Sequence, residues 1–418
     1  MTQLGDDCFA SDDRPMTAAE ALAMLAERIR PVTAAETVPL RRAVGRILSQ
    51  DVIADRDVPP ADNSAVDGYA LRFADLAPSG ESRLPVTGRA AAGHPMGEAL
   101  PPGHAARIFT GAAVPAGCDT VVMQEDVRLD GDTVVVPPGL GRGANVRRAG
   151  EDVAGGATVL TRGTRLRPQE VGLAASLGRE DLAVYCRLRV ALFSTGDELS
   201  EPGRPLAPGG IYDANRYVLA GLIEALGCEV TDLGILPDDG AVVREALARA
   251  AEAHDLLVTS GGVSVGDEDH VRAAVEALGS IHSWRLAIKP GRPIAMGQVG
   301  RVPFVGLPGN PVAAMVCFLR FARPLILRLA GATGVEPVTY RVRADFDHEK
   351  KPHRREWVRA RLAVGDDGIV SARRFPAQGS GILTSMVESD GLVELPEDVT
   401  RVRPGETVDF LPFNEVCR

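Results

Sequence analysis

Aromatic residues are scarce in this chain. Phe, Trp and Tyr together make up 4% of its 418 residues, which leaves few rings on which bases could stack and argues against a single-strand nucleic-acid platform. Positive charge is in deficit too. A formal net charge of −10 excludes a broad basic face for a phosphodiester backbone, while leaving room for a local basic pocket around a small anion. The six cysteines (8, 118, 186, 228, 317 and 417) lie far apart without a C-x-x-C, so neither a zinc knuckle nor a disulfide framework is expected. The seven histidines form no H-E-x-x-H pair. No apolar run is long enough to span a bilayer: the longest, 311–329, is interrupted by Arg320, Arg323, Pro324 and Arg328 and reads as a packed helix. The acidic start "MTQLGDDCFASDD" lacks the basic and apolar regions of a signal peptide. The expectation is a cytoplasmic protein that binds neither nucleic acid nor membrane.

Glycine (45) and proline (30) are plentiful and punctuate a chain too long for a single core. Thr17-Ala-Ala-Glu20 has capping-box spacing before Leu22, Leu25 and Ile29, predicting a helix over about 17–30. A second helical piece is expected over about 40–48. Residues 53–145 turn to short Val-rich runs between Gly and Pro, a β-rich module, and helical texture resumes over 167–177. The module therefore reads as an insertion, with 16–52 and 146–185 forming a split N-terminal linker domain. From 186 to 330 strand-like runs alternate with helical ones, the pattern of a doubly wound parallel sheet. "WRLAIK" and "PIAMG" are expected among its strands, and one helix over 311–329 closes it. Residues 331–418 alternate Val and Leu between turn residues and suggest a small β-barrel or sandwich.

The chemistry is concentrated in the segments just after the expected strands of 186–330. "VTSGGVSVGDEDH" (258–270) begins with Ser260, Gly261 and Gly262, whose bare N–H groups suit a phosphate, yet runs into Asp267, Glu268 and Asp269, which repel one. "STGDE" (194–198), "PDD" (237–239), "KPGRP" (289–293) and "GLPGNP" (306–311) fall after other strands and share one sheet edge if the topology is doubly wound. Lys289 and Arg292 suit an anion, while Glu198, Asp238 and Asp269 suit a hard cation such as Mg²⁺, which takes carboxylate and phosphate oxygens together. A cation held between phosphate and carboxylates resolves the contradiction inside 258–270. Taken singly, each feature has a plainer reading: Gly-Gly as a turn, Asp238 as a helix N-cap, Lys289 as an exposed lysine. Their convergence is what favours a site. Three further stretches are unusual: "DNSAVDGYA" (62–70) concentrates polar groups on one turn, "RIFTGAAVPAGCDTVVMQED" (107–126) brings Thr110 and Glu125, and in "NVRRAGED" (145–152) Arg147 and Arg148 are expected to pack against Glu151 and Asp152.

The ordered series "DNSAVDGYA", "TGAAVPAGCDTVVMQE", "NVRRAGED", "STGDEL", "GIYDANRY", "SGGVSVGDEDH", "KPGRP", "GLPGNPVAA" and "GSGILTSMVESDGLVELP" resembles the molybdopterin molybdenumtransferase family, the MoeA-type enzymes related to the E domain of gephyrin and to the plant molybdenum-insertion protein. The resemblance implies a multidomain α/β homodimer. Each subunit has a MogA-like, doubly wound three-layer α/β domain, a split helical/β domain, an inserted β module and a C-terminal β-barrel-like domain. It implies adenylylated molybdopterin and molybdate as substrates, molybdenum insertion at the dithiolene sulfurs, release of AMP, and Mg²⁺ or a similar divalent cation. Transient partners would be the adenylyltransferase and acceptor molybdoenzymes.

Carried over by motif, Asp67, Thr110, Glu198, Asp238 and Asp269 take catalytic places, the last three also as metal ligands. Arg147, Asp152, Ser260, Gly261, Gly262, Ser264, Lys289, Arg292, Pro308, Gly309, Pro311 and Ser380 take binding places. Acids near Asp67 and Glu198 are expected to relay the protons that carry oxide off molybdenum as water. Arg285 and Arg292 stand where relatives often have Lys, which keeps the charge but widens the fork. The alternatives are the adenylyltransferase that prepares the substrate, which resembles only the 186–330 unit, and a gephyrin-like scaffold.

Overall fold

The computed structural model describes residues 3–4, 15–262, 270–291 and 294–417. It divides into two compact units, one of Met1–Ser49, Arg162–Arg167 and Asp181–Arg418, the other of Gln50–Thr161 and Pro168–Glu180.

The first unit opens with the helix Ala18–Arg28. Its capping box is closed, with the Glu20 amide donating to Thr17 Oγ1 at 3.2 Å and the Thr17 amide donating to Glu20 Oε2 at 2.8 Å, while Ala21, Leu25 and Ile29 are buried. The helix expected over 40–48 does not form. Only a 3₁₀ turn, Leu40–Arg42, is present, because Gly45 takes φ +80° and the chain then enters bridges from Ile47 to Arg165 and from Leu48 to Val184. Tertiary pairing overrides the local helical pattern. Strand Ala35–Pro39 pairs antiparallel with Asp181–Tyr185.

The α/β domain is built on β1 (Arg189–Thr195), β2 (Glu229–Leu236), β3 (Leu256–Ser260), β4 (Gly279–Trp284), β5 (Ile294–Val299) and β6 (Val302–Leu307), in the order β2-β1-β3-β6-β5-β4. Side-chain alternation along a strand divides the core into two faces. Val190 and Leu192 pack with Leu219 and Ile223 of the helix Asn215–Ala225. Ala191 and Phe193 pack on the other side with Val243 and Leu247 of Gly240–Ala253 and Val271 and Val275 of His270–Leu278. Helices therefore cover both faces, and the domain has three layers.

The sheet is not wholly parallel, which corrects the expected topology. β2, β1, β3 and β6 run parallel, but β5 is antiparallel to β6 and β4 to β5. Gly300 (φ +58°) and Arg301 are the only residues between the paired Val299 and Val302, and a two-residue link permits only a hairpin. "WRLAIK" is likewise not one strand of this sheet: Trp284 ends β4, and Ile288–Lys289 pairs instead with Arg355 and Glu356.

The expected 311–329 helix is interrupted. Pro311–Cys317 and Arg323–Leu329 are joined by a π-turn, Phe318–Ala322, in which the Arg323 amide reaches back to the Phe318 carbonyl. Pro324 has no N–H to continue the α-ladder, and the wider turn accommodates it. This apolar segment is core, with Phe318, Phe321, Leu325 and Ile326 fully buried. Among the described residues no helix is long and apolar enough to cross a membrane. The chain ends in five strands, Tyr340–Ala344, Arg355–Val364, Val370–Arg374, Gly391–Leu395 and Thr407–Pro412, whose pairings return on themselves as a closed barrel. Closure leaves no open sheet edge; Val358, Val393 and Phe410 fill the interior.

The second unit centres on a six-stranded sheet formed by Thr120–Met123, Gly68–Leu71, Ala105–Ile108, Ser82–Ala90, Thr133–Val136 and Arg128–Asp130. Gly68 is required here, since a Cβ would lie 1.8 Å from the Val122 carbonyl oxygen. Val52–Ile53 with Thr158–Leu160 and the helix Pro168–Ser176 complete the unit.

Candidate functional site

In the first unit a cavity of about 610 Å³ opens where β1, β2, β3 and β6 end, the edge at which open α/β sheets take ligands. Of the residues singled out from sequence, Glu198, Asp238, Ser260, Gly261, Gly262, Pro308, Gly309 and Pro311 line it together. Asp269, Ser264 and Arg292 lie outside the described residues.

The acidic side is built by two neighbouring turns. The Asp197 amide donates to Asp238 Oδ2 at 3.1 Å and the Asp238 amide to Asp197 Oδ1 at 3.4 Å. Asp238 is not the helix cap: that role belongs to Asp239, whose Oδ1 accepts from the amides of Ala241 and Val242 at 2.8 and 3.1 Å. These two bonds hold the Asp239 carboxyl below its ordinary value. Asp238 is left to face the cavity. Glu198 folds back over Gly196, where any Cβ would sit 2.5 Å from its Oε2. Among the described residues no Lys or Arg pairs with Glu198 or Asp238, and no group of three His, Cys, Asp or Glu side chains could close around a metal. Two carboxylates beside an anion cavity suit a cation that completes its shell with phosphate and water oxygens.

The opposite side is glycine-rich. Gly261 and Gly262 take φ +91° and +63°, and a Cβ on Gly262 would meet Thr195 Oγ1 at 2.4 Å and Val271 Cγ2 at 2.7 Å; only glycine fits there without strain. Ser260 lines the cavity beside them. Its hydroxyl donates to the Pro308 carbonyl at 3.2 Å and accepts from Asn215 Nδ2 at 2.8 Å, so its proton is committed inside the protein. Asn215, absent from the candidate residues, also donates to the Gly309 carbonyl at 2.7 Å. "GIYDANRY" was its only signal in the sequence.

Lys289 does not line this cavity. It pairs through its short strand with the barrel, and its Nζ lies 3.4 Å from Glu356 Oε2. Glu356 is buried and accepts from His348 Nε2 at 3.0 Å and from Arg354. Burial pushes this carboxyl up, but the bonds from His348 and Arg354 and the charge of Lys289 outweigh it and hold Glu356 at about 2. Ser380 is also off the lining, although its carbonyl accepts from the Val312 amide at 3.0 Å just inside the helix that Pro311 begins. Beside it, Arg359 is buried with only neutral partners, donating to Ser385 Oγ at 3.0 Å and to the Gly379 carbonyl at 2.9 Å. Burial lowers this guanidinium to about 10.

Asp67 and Thr110 belong to the second unit. The Thr110 amide and hydroxyl each donate to Asp67 Oδ1 at 2.8 Å. These two bonds, outweighing slight burial, lower the Asp67 carboxyl below its ordinary value. Asp67 is therefore ionised near neutrality and can accept a proton. Arg148 does not pack against Glu151 and Asp152 through its side chain: its guanidinium pairs with Asp62 at 2.6 Å, while its backbone amide donates to Glu151 Oε2 at 2.9 Å. Arg147 is exposed on a two-residue strand against Asn63, and the Asp152 amide donates to the Val58 carbonyl at 3.0 Å.

An α/β sheet whose parallel strands end in glycine-rich turns around a cavity defines the class of α/β domains that take ligands at the carboxyl ends of their strands. Comparison with known proteins narrows the class. Residues 191–328 match the description "Probable molybdopterin binding domain". Residues 16–178 match "MoeA N-terminal region (domain I and II)" and residues 341–413 match "MoeA C-terminal region (domain IV)". The chain is 40% identical over 403 residues to the molybdopterin molybdenumtransferase of Haemophilus influenzae, covering 96% of this chain and 99% of that protein. It is 37% identical over 381 residues to the molybdopterin molybdenumtransferase of Nostoc sp., covering 89% and 87%. The crystal structure of the molybdopterin biosynthesis moeA protein from Pyrococcus horikoshii superposes with a TM-score of 0.81 at 31% identity, over 96% of this chain and 100% of that one. The chain belongs to the MoeA family.

Proposed function

We infer that this chain is a molybdopterin molybdenumtransferase of molybdenum cofactor biosynthesis. It takes adenylylated molybdopterin and molybdate, inserts molybdenum at the dithiolene sulfurs and releases AMP. The observation that carries the reading is the pairing, in one cavity, of two glycine-rich turns with two carboxylates that no cationic side chain among the described residues neutralises. Identity to the Haemophilus influenzae transferase across 96% of the chain favours this over an adenylyltransferase resembling the α/β domain alone. The presence of Asp67, Glu198 and Asp238 favours it over a scaffold, for which they would be dispensable.

Molybdate and the pyrophosphate of the substrate are both multiply negative, so their approach needs fixed positive charge and oriented N–H groups. The turns at Gly261–Gly262 and Pro308–Gly309 would receive the phosphates. Glu198 and Asp238, with Asp269 as a third expected ligand, would hold Mg²⁺ or a similar cation, which when bound offsets phosphate and carboxylate charge together. Lys289, Arg292 and Ser380, with Arg147 and Asp152, are further residues proposed to contact the substrates. Asp67, kept ionised by Thr110, would accept the protons released by the dithiolene thiols and return them to the oxide, which departs as water. Transfer is direct. None of the described cysteines lines the cavity, and burial raises the thiols of Cys118 and Cys228 to about 12 and that of Cys417 to about 11, so none of these three is a poised thiolate nucleophile.

The working form is a cytoplasmic two-fold dimer. The test is incubation of the purified chain with adenylylated molybdopterin, molybdate and Mg²⁺, quantifying AMP by chromatography and active cofactor by reconstituting a cofactor-free molybdoenzyme. Molybdate-dependent AMP release with reconstitution is expected; neither product at any protein concentration sinks the reading.

A further inference from the structure

We propose that Asn215 is a positioning residue of this site: its side-chain amide clamps the Ser260–Gly262 turn to the Pro308–Gly309 turn, so that two loops from different strands act as one phosphate cradle. The inference rests on the transferase reading for the identity of its substrate.

The hydrogen-bond chemistry fixes the clamp. The Gly309 carbonyl can only accept, so the Asn215 atom 2.7 Å from it must be the nitrogen. That nitrogen carries two protons, and the second goes to Ser260 Oγ at 2.8 Å. Having accepted there, Ser260 donates to the Pro308 carbonyl at 3.2 Å, and the Gly261 amide donates to the Leu307 carbonyl at 3.1 Å. Three bonds therefore tie the two turns, two of them through Asn215, and the Gly261 amide adds a fourth to the end of β6. Among the described residues, the amides of Gly262, Gly309 and Asn310 donate to no protein acceptor, and all three residues line the cavity. The clamp fixes the relative position of the amides left for a ligand.

Asn215 is itself anchored by its neighbour. Arg216 is buried and pairs with buried Asp213 at 3.0 Å, with Glu201 and with Asp232 of β2. Asp213 Oδ1 also accepts from the Arg216 amide at 3.2 Å, closing the first turn of the helix Asn215–Ala225. Three carboxylates from separate segments thus pin the backbone from which Asn215 reaches across. Asparagine is needed for its paired donors: aspartate has the same shape, donates nothing and adds charge beside the phosphates.

The test uses Asn215→Ala, Asn215→Asp, Ser260→Ala and the Asn215→Ala/Ser260→Ala double variant. Two readouts are taken, KM and kcat for AMP release, and calorimetric binding of inorganic pyrophosphate with Mg²⁺. The single variants should raise KM for adenylylated molybdopterin roughly ten-fold, as expected for two lost hydrogen bonds, with kcat within about three-fold. Pyrophosphate binding should weaken in parallel, and the double variant should be no worse than the worse single. Unchanged KM and pyrophosphate affinity in both Asn215 variants, or additive losses in the double variant, would overturn the clamp. If the wild type binds pyrophosphate but releases no AMP, the transferase reading fails, and the pyrophosphate arm still decides the clamp. A wild type that does neither sinks both.

Discussion

Replacing Glu356 with glutamine removes the charge at the centre of a buried cluster. The side chain accepts from His348 and Arg354 and faces Lys289 at 3.4 Å. Its carboxyl is held at about 2 against an ordinary 4.5, so folding favours the ionised form by roughly 3 kcal/mol. A folded-state value below the unfolded one means that this stabilisation is complete above about pH 5 and is lost as the pH falls towards 2. By pH 3 roughly 2 kcal/mol should be gone. Glu356→Gln should therefore lower stability at pH 7 by about 3–5 kcal/mol, because Lys289 and Arg354 are left facing a neutral amide. The same variant should flatten the acid dependence between pH 5 and pH 3. Urea unfolding of wild type and variant, followed by circular dichroism at pH 7, 5, 4 and 3, measures both effects. Parallel losses of stability between pH 5 and pH 3 in the two proteins would refute the assignment of that acid sensitivity to Glu356.

Asp238→Asn should raise the Mg²⁺ concentration that half-saturates AMP release by roughly ten-fold with the melting temperature unchanged, whereas Asp239→Ala should cost about 1 kcal/mol of stability and leave the Mg²⁺ dependence alone. Reversal of the two phenotypes would exchange the ligand and the cap. Asp67→Asn should cut AMP release by roughly 10²-fold while leaving adenylylated molybdopterin affinity within a few-fold; equal losses of binding and turnover would move Asp67 into the cradle. Gly262→Ala should destabilise the α/β domain by about 2–4 kcal/mol through positive φ and collision with Thr195 and Val271, read as an earlier urea midpoint. An unchanged midpoint would show that the turn yields to the added methyl.

The cavity was legible because its parts are local. Strand-like runs that stop at Gly, Pro and acidic residues put Glu198, Asp238, Ser260–Gly262 and Pro308–Gly309 at strand ends whatever the sheet order, and the four strands concerned are parallel. The remainder depended on pairing between distant segments. Lys289 looked like part of the same edge, but two residues of strand hand it to the barrel beside Glu356. The antiparallel β5 and β4 follow from one tight hairpin at Gly300–Arg301, which sequence periodicity does not report. Asp238 and Asp239 are equivalent as neighbouring carboxylates until the helix start is known to one residue, finer than pattern reading resolves. Asn215 was hidden because its meaning lies in two carbonyl and hydroxyl partners 45 and 94 residues away.

The most direct test of the central claim is a single-turnover reaction with enzyme in excess over adenylylated molybdopterin, started with molybdate and Mg²⁺. AMP and molybdenum bound to molybdopterin would be quantified from the same quenched samples, the metal by elemental mass spectrometry after the pterin is separated. AMP and molybdenum-loaded pterin should rise together in equimolar amounts, and neither should appear without molybdate. AMP released at the same rate without molybdate, or molybdenum incorporated with the adenylyl group still attached, would contradict the central claim.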